Sequence, residues 1–241
     1  MGVWSDRVAQ YPDSLPLTVS HPSNTMPLTF GVDSVAELTL FKAIDDLFRK
    51  ARTEAKATST KRLEILAQYC VQELATRGLA GAVLEPKIPG FAREKAWDVA
   101  WFHRDKVRLA ISLKSLLTNL GGTVPNRIDD LMGEVANIQM YSPEVVIGYF
   151  MVFNVQEDHP GTRHGGSWAE VFGKRLEALS GRRPPHWTVG TVEASALVLV
   201  DFSDGPLVLT PETPVSAFFD TLVEQVLRRN PDLAGPDGKA R

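Results

Sequence analysis

The sequence has a single cysteine and no long uninterrupted run of apolar residues. Cys70 has no partner for an internal disulfide bond, which fits a reducing compartment such as the cytoplasm. A membrane-spanning helix needs about 18 or more consecutive apolar residues, and no segment comes near that length. The first residues, MGVWSDRVAQYPDSLP, lack the basic and apolar segments of a secretory signal. These absences predict a cytoplasmic protein without membrane contact.

An excess of charge of either sign is also missing. The chain has 26 Lys and Arg against 29 Asp and Glu, a net charge of −3. This balance argues against a protein that coats nucleic acid through bulk positive charge, but it permits an enzyme with a basic cleft. The five histidines have no paired short spacing, so no zinc site is expected.

The hydropathy pattern predicts one α/β domain with a mixed sheet. Residues 1–33 are predicted to form an irregular arm, residues 34–230 a single domain with its core at about 83–202, and residues 231–241 a flexible tail. A first helix is predicted to start near Asp33 or Ser34, and its pattern is broken at residues 58–60. Further helices are predicted over residues 61–76, 126–141, 168–179 and 215–229. Strands are predicted over residues 82–85, 97–102, 107–114, 145–153 and 196–202.

The strands at 97–102 and 107–114 predict a β-hairpin that brings polar residues together. Asp98 and Lys114 lie at its open end, and Ser112 shares a strand face with Lys114 because side chains alternate. A three-residue turn or a bulge places Asp98 on that same face. A two-residue turn alone places it on the opposite one. If these residues have no catalytic role, Asp98 and Lys114 are simply a polar pair at the solvent-facing end of the hairpin.

The hairpin sequence WDVAWFHRDKVRLAISLKS resembles the core of the PD-(D/E)xK nuclease superfamily, which includes most type II restriction endonucleases. In that family an Asp begins one strand, an acid-x-Lys triplet lies on the next, and a helix and a buried strand follow. The segment NRIDDLMGEVANIQMYSPEVVIGYFMVF matches that helix and strand. The resemblance covers about residues 83–153 and implies a restriction-endonuclease-like core, a mixed β-sheet with a catalytic hairpin flanked by helices.

One position departs from the family pattern, because Ser112 stands where the second acid is expected. In some restriction enzymes that acid has moved to the following helix, and Glu134 fits this variant. Asp130 on the same helix competes with it. Glu85 and Glu37 remain as possible additional acids.

The resemblance also implies the chemistry of these residues. Asp98, Glu134 and the backbone carbonyl of Leu113 would bind Mg²⁺, which prefers hard oxygen ligands. Lys114 would orient or deprotonate the attacking water and stabilise developing charge. Ser112 would hydrogen-bond a water at the metal.

Several basic and polar residues are candidates for DNA contacts. Asn126 and Arg127 begin a predicted helix, whose N-terminus favours phosphate. Arg182 and Arg183 precede an aromatic residue, a combination that suits backbone contact and stacking, and Arg163 lies in a polar loop.

The sequence therefore predicts a Mg²⁺-dependent endonuclease that cuts double-stranded DNA, of the type II restriction kind. Palindromic recognition sites favour a homodimer, an expectation that rests on the family. Two alternatives stay open: a structure-specific repair or recombination nuclease of the same fold, and a catalytically silent DNA-binding or interaction module.

Overall fold

The computed structural model describes residues 37–53, 59–160, 165–185 and 187–233. These residues form the helices α1 (Leu40–Thr53), α2 (Ser59–Arg62), α3 (Glu64–Thr76), α4 (Leu120–Gln139), α5 (Trp168–Leu179) and α6 (Glu212–Arg229), with a 3₁₀-helix at Pro231–Leu233. They also form the strands β1 (Val83–Leu84), β2 (Lys87–Ile88), β3 (Lys95–Ala96), β4 (Val99–His103), β5 (Lys106–Leu116), β6 (Val146–Asn154), β7 (Ala194–Asp201) and β8 (Leu207–Val208).

The core is a mixed six-stranded sheet in the order β1-β4-β5-β6-β7-β8. Strands β5, β6 and β7 run parallel, whereas β1, β4 and β8 pair antiparallel with their neighbours. Helices α1, α3 and α6 pack on one face of the sheet, and α4 and α5 pack on the other. The α/β class with a mixed sheet is therefore confirmed.

Strand β6 is the centre of this arrangement. All nine of its residues are buried, as the nearly continuous apolar run predicts for a parallel strand covered on both faces. Helix α6 approaches β6 closely at Gly148, where a Cβ would lie 2.8 Å from side-chain atoms of Phe218 and Leu222. The hydrophobic core on both sides of β6 holds the central sheet in place, and this sheet carries the hairpin.

Helix α4 begins earlier than the sequence predicts. The segment around Gly121 and Gly122 was expected to be a loop, but both glycines lie in the first turn of the helix, and Pro125 follows within it. Leu120 and Val124 are buried and extend the apolar face of the helix toward its N-terminus. Their burial offsets the roughly 1 kcal/mol that each helical glycine costs relative to alanine.

The N-terminal helices differ from their predicted form in two details. The buried face of α1 is formed by Leu40, Ala43, Ile44 and Leu47, whereas Phe41, predicted on that face, is exposed. The helix predicted over residues 61–76 is two helices, α2 and α3, separated at Leu63. The predicted caps at Asp33 and Ser34 lie outside the described residues, as do the arm at 1–33 and residues 234–241 of the tail.

The hairpin β2–β3 and the edge strand β8 were not predicted from the sequence, because each strand has only two residues. None of the described helices is long and apolar enough to cross a membrane.

Candidate active site

The hairpin β4–β5 has a two-residue turn. Arg104 and Asp105 have φ values of 49° and 59°, and His103 pairs with Lys106. Two successive residues with positive φ are typical of the tight turns whose twist matches that of antiparallel strands. The three-residue turn considered from the sequence is therefore wrong, and this turn by itself would put Asp98 on the face opposite Lys114.

A β-bulge in the hairpin restores the register that the site needs. Trp101 pairs with Leu109, but Phe102 pairs with Val107, so Arg108 is the extra residue. A bulge of this kind places two residues of one strand opposite one residue of the other. The bulge alternative predicted from the sequence is thus confirmed.

With the bulge, Asp98 comes opposite Ser112. Val99 pairs with Ile111 on the face of the sheet covered by α1, α3 and α6. Since side chains alternate, Ser112 belongs to the other face, which α4 covers. Lys114 lies two residues after Ser112 and shares this face. Asp98 lies in a bend just before β4 and lines a cleft together with Ala67 of α3.

The Asp98 carboxylate is fixed by the backbone of β5. Its Oδ2 accepts a hydrogen bond of 2.7 Å from the Leu113 N–H. Burial raises the pKa of Asp98 above its usual value; the ammonium of Lys114 and the Leu113 hydrogen bond oppose this shift, while Glu134 and Glu85 add to it. A carboxylate that is costly to keep ionised gains from a bound cation.

Glu134 of α4 meets the hairpin residues across the site. Its Oε2 lies 3.5 Å from Ser112 Oγ and 3.6 Å from Lys114 Nζ. The side chains of Glu134 and Lys114 keep 18% and 21% of their surface exposed, so they remain accessible from solvent. The structure therefore brings Ser112, Lys114 and Glu134 together, and Asp98 lies near enough that the charges of Lys114 and Glu134 act on its pKa.

Lys95 joins the same cluster, and sequence reasoning missed it. Its Nζ forms an ion pair with Glu134 Oε1. Lys95 lies on β3, three residues before Asp98. The hydropathy pattern of this segment is too short to indicate a helix or a strand. Its contact with α4 joins residues 39 positions apart, which the linear pattern does not indicate.

Tyr149 is a further residue that the sequence did not single out. It pairs with Ser112 across β5 and β6 and is buried, and its hydroxyl has no hydrogen-bond partner among the described residues. Burial raises its pKa further above neutrality, so the hydroxyl stays protonated and is a hydrogen-bond donor. Charges of Arg127, Asp130 and Glu134 act on it, which places the hydroxyl beneath the polar side of α4. Buried unpaired hydroxyls are uncommon and favour a ligand or water nearby.

Asp98 is also reached from a cleft of about 480 Å³ on the other side of the hairpin. Glu85, Glu64 and Lys61 are among the residues that line it. Glu85 has a left-handed backbone with φ of 52°, which is uncommon outside glycine, and its N–H donates to the Asp98 carbonyl at 3.2 Å. Glu85 therefore lies beside Asp98, as expected for a possible additional acid.

The donor set is that of a hard cation rather than of zinc. The acids Asp98 and Glu134 supply oxygen, and the Leu113 carbonyl points to the same side of β5 as its N–H, which Asp98 accepts. Within the described ranges, no group of three or more His, Cys, Asp and Glu side chains lies close enough to hold a metal. Mg²⁺ is commonly held by one or two carboxylates with water and substrate phosphate, so these residues fit it.

The other predicted acids lie apart from the cluster. Asp130 is exposed and forms an ion pair of 3.3 Å with Arg127, one helical turn from Glu134. Glu37 is exposed before α1, where its carbonyl accepts from Lys42 Nζ at 2.9 Å. The geometry thus favours Glu134 over Asp130 as the second acid.

The predicted DNA contacts need two corrections. Arg182 is buried and forms an ion pair of 2.9 Å with the fully buried Glu193, so its guanidinium cannot reach DNA. Asn126 lies inside α4 with its amide on the Gly122 carbonyl, not at the helix N-terminus where phosphate was expected.

The remaining DNA candidates keep part of their predicted setting. Arg127 is inside α4 as well, two turns from its start, and is partly exposed beside Asp130. Arg183 is exposed. Arg163 lies outside the described residues.

Comparison with known proteins gives no relative for this site. No protein-family model matches the chain, and neither a curated protein nor a solved structure is significantly similar to it.

Proposed function

We propose that the chain is a Mg²⁺-dependent endonuclease that hydrolyses phosphodiester bonds of double-stranded DNA, with a restriction-endonuclease-like core of the PD-(D/E)xK type. One observation carries the proposal: α4 brings Glu134 to Ser112 and Lys114 of the bulged hairpin, and Asp98 is held by the Leu113 N–H between these two residues of β5. Glu134 thereby supplies a carboxylate near position 112, where the acid of the family is missing. Its Oε2 lies 3.5 Å from the Ser112 hydroxyl.

In this proposal the carboxylates of Asp98 and Glu134 both bind the metal, although they lie on different elements of the fold. Asp98, held by the Leu113 N–H, and Glu134, paired with Lys95, would bind Mg²⁺ together with the Leu113 carbonyl. Bound Mg²⁺ supplies charge neutralisation at the phosphate and a more acidic water. The raised pKa of Asp98 means that protons compete with the cation for this carboxylate as the pH falls.

Lys114 acts on the reacting groups rather than on the fold. Its ammonium lies on the strand face of Ser112, 3.6 Å from Glu134, and is partly exposed. From there it orients the attacking water and stabilises negative charge that develops on the phosphate oxygens. Ser112, which is buried, lies 3.5 Å from the Glu134 carboxylate.

The class of substrate follows the resemblance. We infer site-specific cleavage of the type II restriction kind, by a homodimer that matches palindromic sites. A structure-specific nuclease of the same fold would leave heterogeneous products, and a silent DNA-binding module would leave none.

The test is incubation of the protein with plasmid and genomic DNA in Mg²⁺, followed by sequencing of the ends. Discrete ends are expected. Lys114→Ala should lower the cleavage rate roughly 100- to 1000-fold, the usual loss when one group that stabilises transition-state charge is removed.

Lys106→Ala is the matched control, because Lys106 is exposed at the other end of β5. It should cut at the wild-type rate. Full activity in Lys114→Ala, or cleavage that survives EDTA, would contradict the proposal.

A further inference from the structure

Lys95 is the closest cationic partner of the acid on α4. Its Nζ pairs with Glu134 Oε1, while Ser112 and Lys114 lie 3.5 and 3.6 Å from Oε2. Good hydrogen bonds to a charged group are nearer 2.8 Å, so the two contacts at Oε2 are loose. Lys95 is therefore the principal counterion of Glu134.

The short hairpin that carries Lys95 is fixed to α4 next to Glu134. The Asn137 side chain accepts from the Ala92 N–H at 2.8 Å and donates to the Arg93 carbonyl at 3.0 Å. The Phe91 N–H donates to the Asn137 carbonyl at 2.8 Å.

Gly90 makes this docking possible. A Cβ at position 90 would lie 2.1 Å from Asn137 Nδ2, so a side chain there would displace the amide. Because Asn137 follows Glu134 by one turn of α4, the docking holds Lys95 beside Glu134.

The position of Lys95 conflicts with binding of a cation at Glu134. An ammonium and a divalent cation repel each other strongly at a separation of a few ångströms. The Lys95 side chain is 27% exposed and carries its ammonium on a flexible aliphatic stem, so the ammonium can leave the carboxylate without disturbing the backbone that Asn137 holds.

The charge balance points to where Lys95 would go. Asp98 and Glu134 carry two negative charges and Lys95 and Lys114 two positive ones, so the four side chains sum to zero. A divalent cation makes this sum positive and attracts an anionic DNA phosphate to the same place. A displaced Lys95 ammonium then finds its nearest new partner in that phosphate.

We propose that Lys95 is an exchangeable counterion, which neutralises Glu134 in the metal-free protein and moves to a DNA phosphate when Mg²⁺ takes the carboxylate. This inference rests on the proposed nuclease function. Lys95 is a positioning residue in the first state and a substrate contact in the second. This exchange makes Mg²⁺ and DNA bind cooperatively. Mg²⁺ binding frees the Lys95 ammonium for the phosphate, and a bound phosphate makes it easier for Lys95 to leave Glu134 to Mg²⁺.

The test measures Mg²⁺ binding to the DNA-free protein by titration calorimetry. Lys95→Met and Lys95→Gln remove the competing charge, and both should bind Mg²⁺ at least about fivefold more tightly than wild type. This factor corresponds to separating one pair of unit charges, Lys95 and Glu134, at about 4 Å in a water-like dielectric. Lys95→Arg keeps the charge and should stay near wild type.

Lys87→Met is the matched control. Lys87 lies on the same hairpin, with a side chain 76% exposed and a loose pair of 3.9 Å to Glu94. It should bind Mg²⁺ as wild type does. In fluorescence anisotropy with a short duplex and Mg²⁺, in a Lys114→Ala background that prevents cutting, Lys95→Met should weaken DNA binding more than Lys87→Met.

The outcomes separate this inference from the function on which it rests. If wild type binds Mg²⁺ and cuts DNA, but the two neutral Lys95 variants bind Mg²⁺ no more tightly, Lys95 is not an exchangeable counterion. If wild type binds no Mg²⁺ at millimolar concentrations, the proposed function fails and this inference fails with it.

Discussion

Two clusters of charged side chains lie beside β6, and they differ in how far they are exposed to solvent. In one, Arg182 and Arg229 pair with Glu193 Oε1 at 2.9 and 2.6 Å, with side chains 2%, 7% and 0% exposed. In the other, Glu134 meets Lys114 at 3.6 Å and both side chains are about a fifth exposed.

Most polar groups of the buried cluster have partners within the protein, although the Nε atoms of Arg182 and Arg229 have none among the described residues. The Glu193 Oε2 accepts from the Ile147 N–H at 2.6 Å, and both guanidiniums donate to backbone carbonyls near the start of β6. The ring of Trp187 lies 4.7 and 4.4 Å from the two guanidinium carbons. This cluster joins α6 to β6 and β7 and has no room for DNA or metal.

The comparison teaches that exposure to solvent, rather than the presence of charge, marks the cluster that can accept a ligand. A buried ion pair that loses one partner leaves an uncompensated charge. A partly exposed carboxylate can exchange partners at lower cost, because water solvates the separated charges. The two clusters should therefore respond to substitution in opposite ways.

The largest effect is expected at Glu193. Glu193→Ala leaves two buried guanidiniums without their carboxylate and should lower the free energy of unfolding by about 3–5 kcal/mol. Urea titration measures this. Glu224→Ala is the control, because its pair with Arg228 is exposed on both sides and such pairs contribute about 0–1 kcal/mol. Equal losses in the two variants would show that the buried cluster is not structural.

Asp98→Asn should act with the opposite sign in the metal-free protein. Burial raises the Asp98 pKa, so the ionised carboxylate lowers the free energy of unfolding at every pH above that pKa. The variant should be more stable than wild type at pH 7, and the difference should shrink as the pH falls toward the unfolded-state value of about 3.9.

Addition of Mg²⁺ sharpens the same test. Wild type should gain about 1 kcal/mol when Mg²⁺ is at about five times its Kd, whereas Asp98→Asn should gain almost nothing. Thermal unfolding at pH 5 and 7, with and without Mg²⁺, gives both measurements. A wild type that is the more stable protein at pH 7 without Mg²⁺ would contradict the cost assigned to Asp98.

The smallest effect is expected at Tyr149. Its buried hydroxyl has no partner among the described residues, so Tyr149→Phe should raise the free energy of unfolding by up to about 1 kcal/mol in the absence of Mg²⁺ and DNA. Cleavage by this variant should fall if the hydroxyl donates to groups bound at the site. A loss of stability above about 1 kcal/mol would show that the hydroxyl already has a strong partner.

The sequence predicted the elements whose signal is local. The buried strand β6 follows from an uninterrupted apolar run, and α5 begins and ends at the predicted residues, Trp168 and Leu179. Ser167 and Glu170 form a reciprocal capping box at the start of α5, a signal carried by residues three positions apart.

The rest of the site depends on contacts between distant parts of the chain. The start of α4 at Leu120 is set by burial, which outweighs the helix propensity of two glycines. The burial of Arg182 depends on Glu193 and Arg229, and the place of Lys95 depends on the docking of its hairpin onto Asn137. The periodicity of apolar residues along the sequence does not indicate these contacts.

The central claim is that an acid on α4 replaces the one missing from position 112, and one measurement tests it most directly. The rate of Mg²⁺-dependent cleavage of double-stranded DNA is compared for wild type, Glu134→Gln and Asp130→Asn. Glu134 contacts Ser112 and both lysines, whereas Asp130 is exposed and pairs with Arg127. The account predicts that Glu134→Gln loses roughly 100-fold or more of the rate, while Asp130→Asn cuts nearly as wild type does. Equal rates for Glu134→Gln and wild type would contradict it.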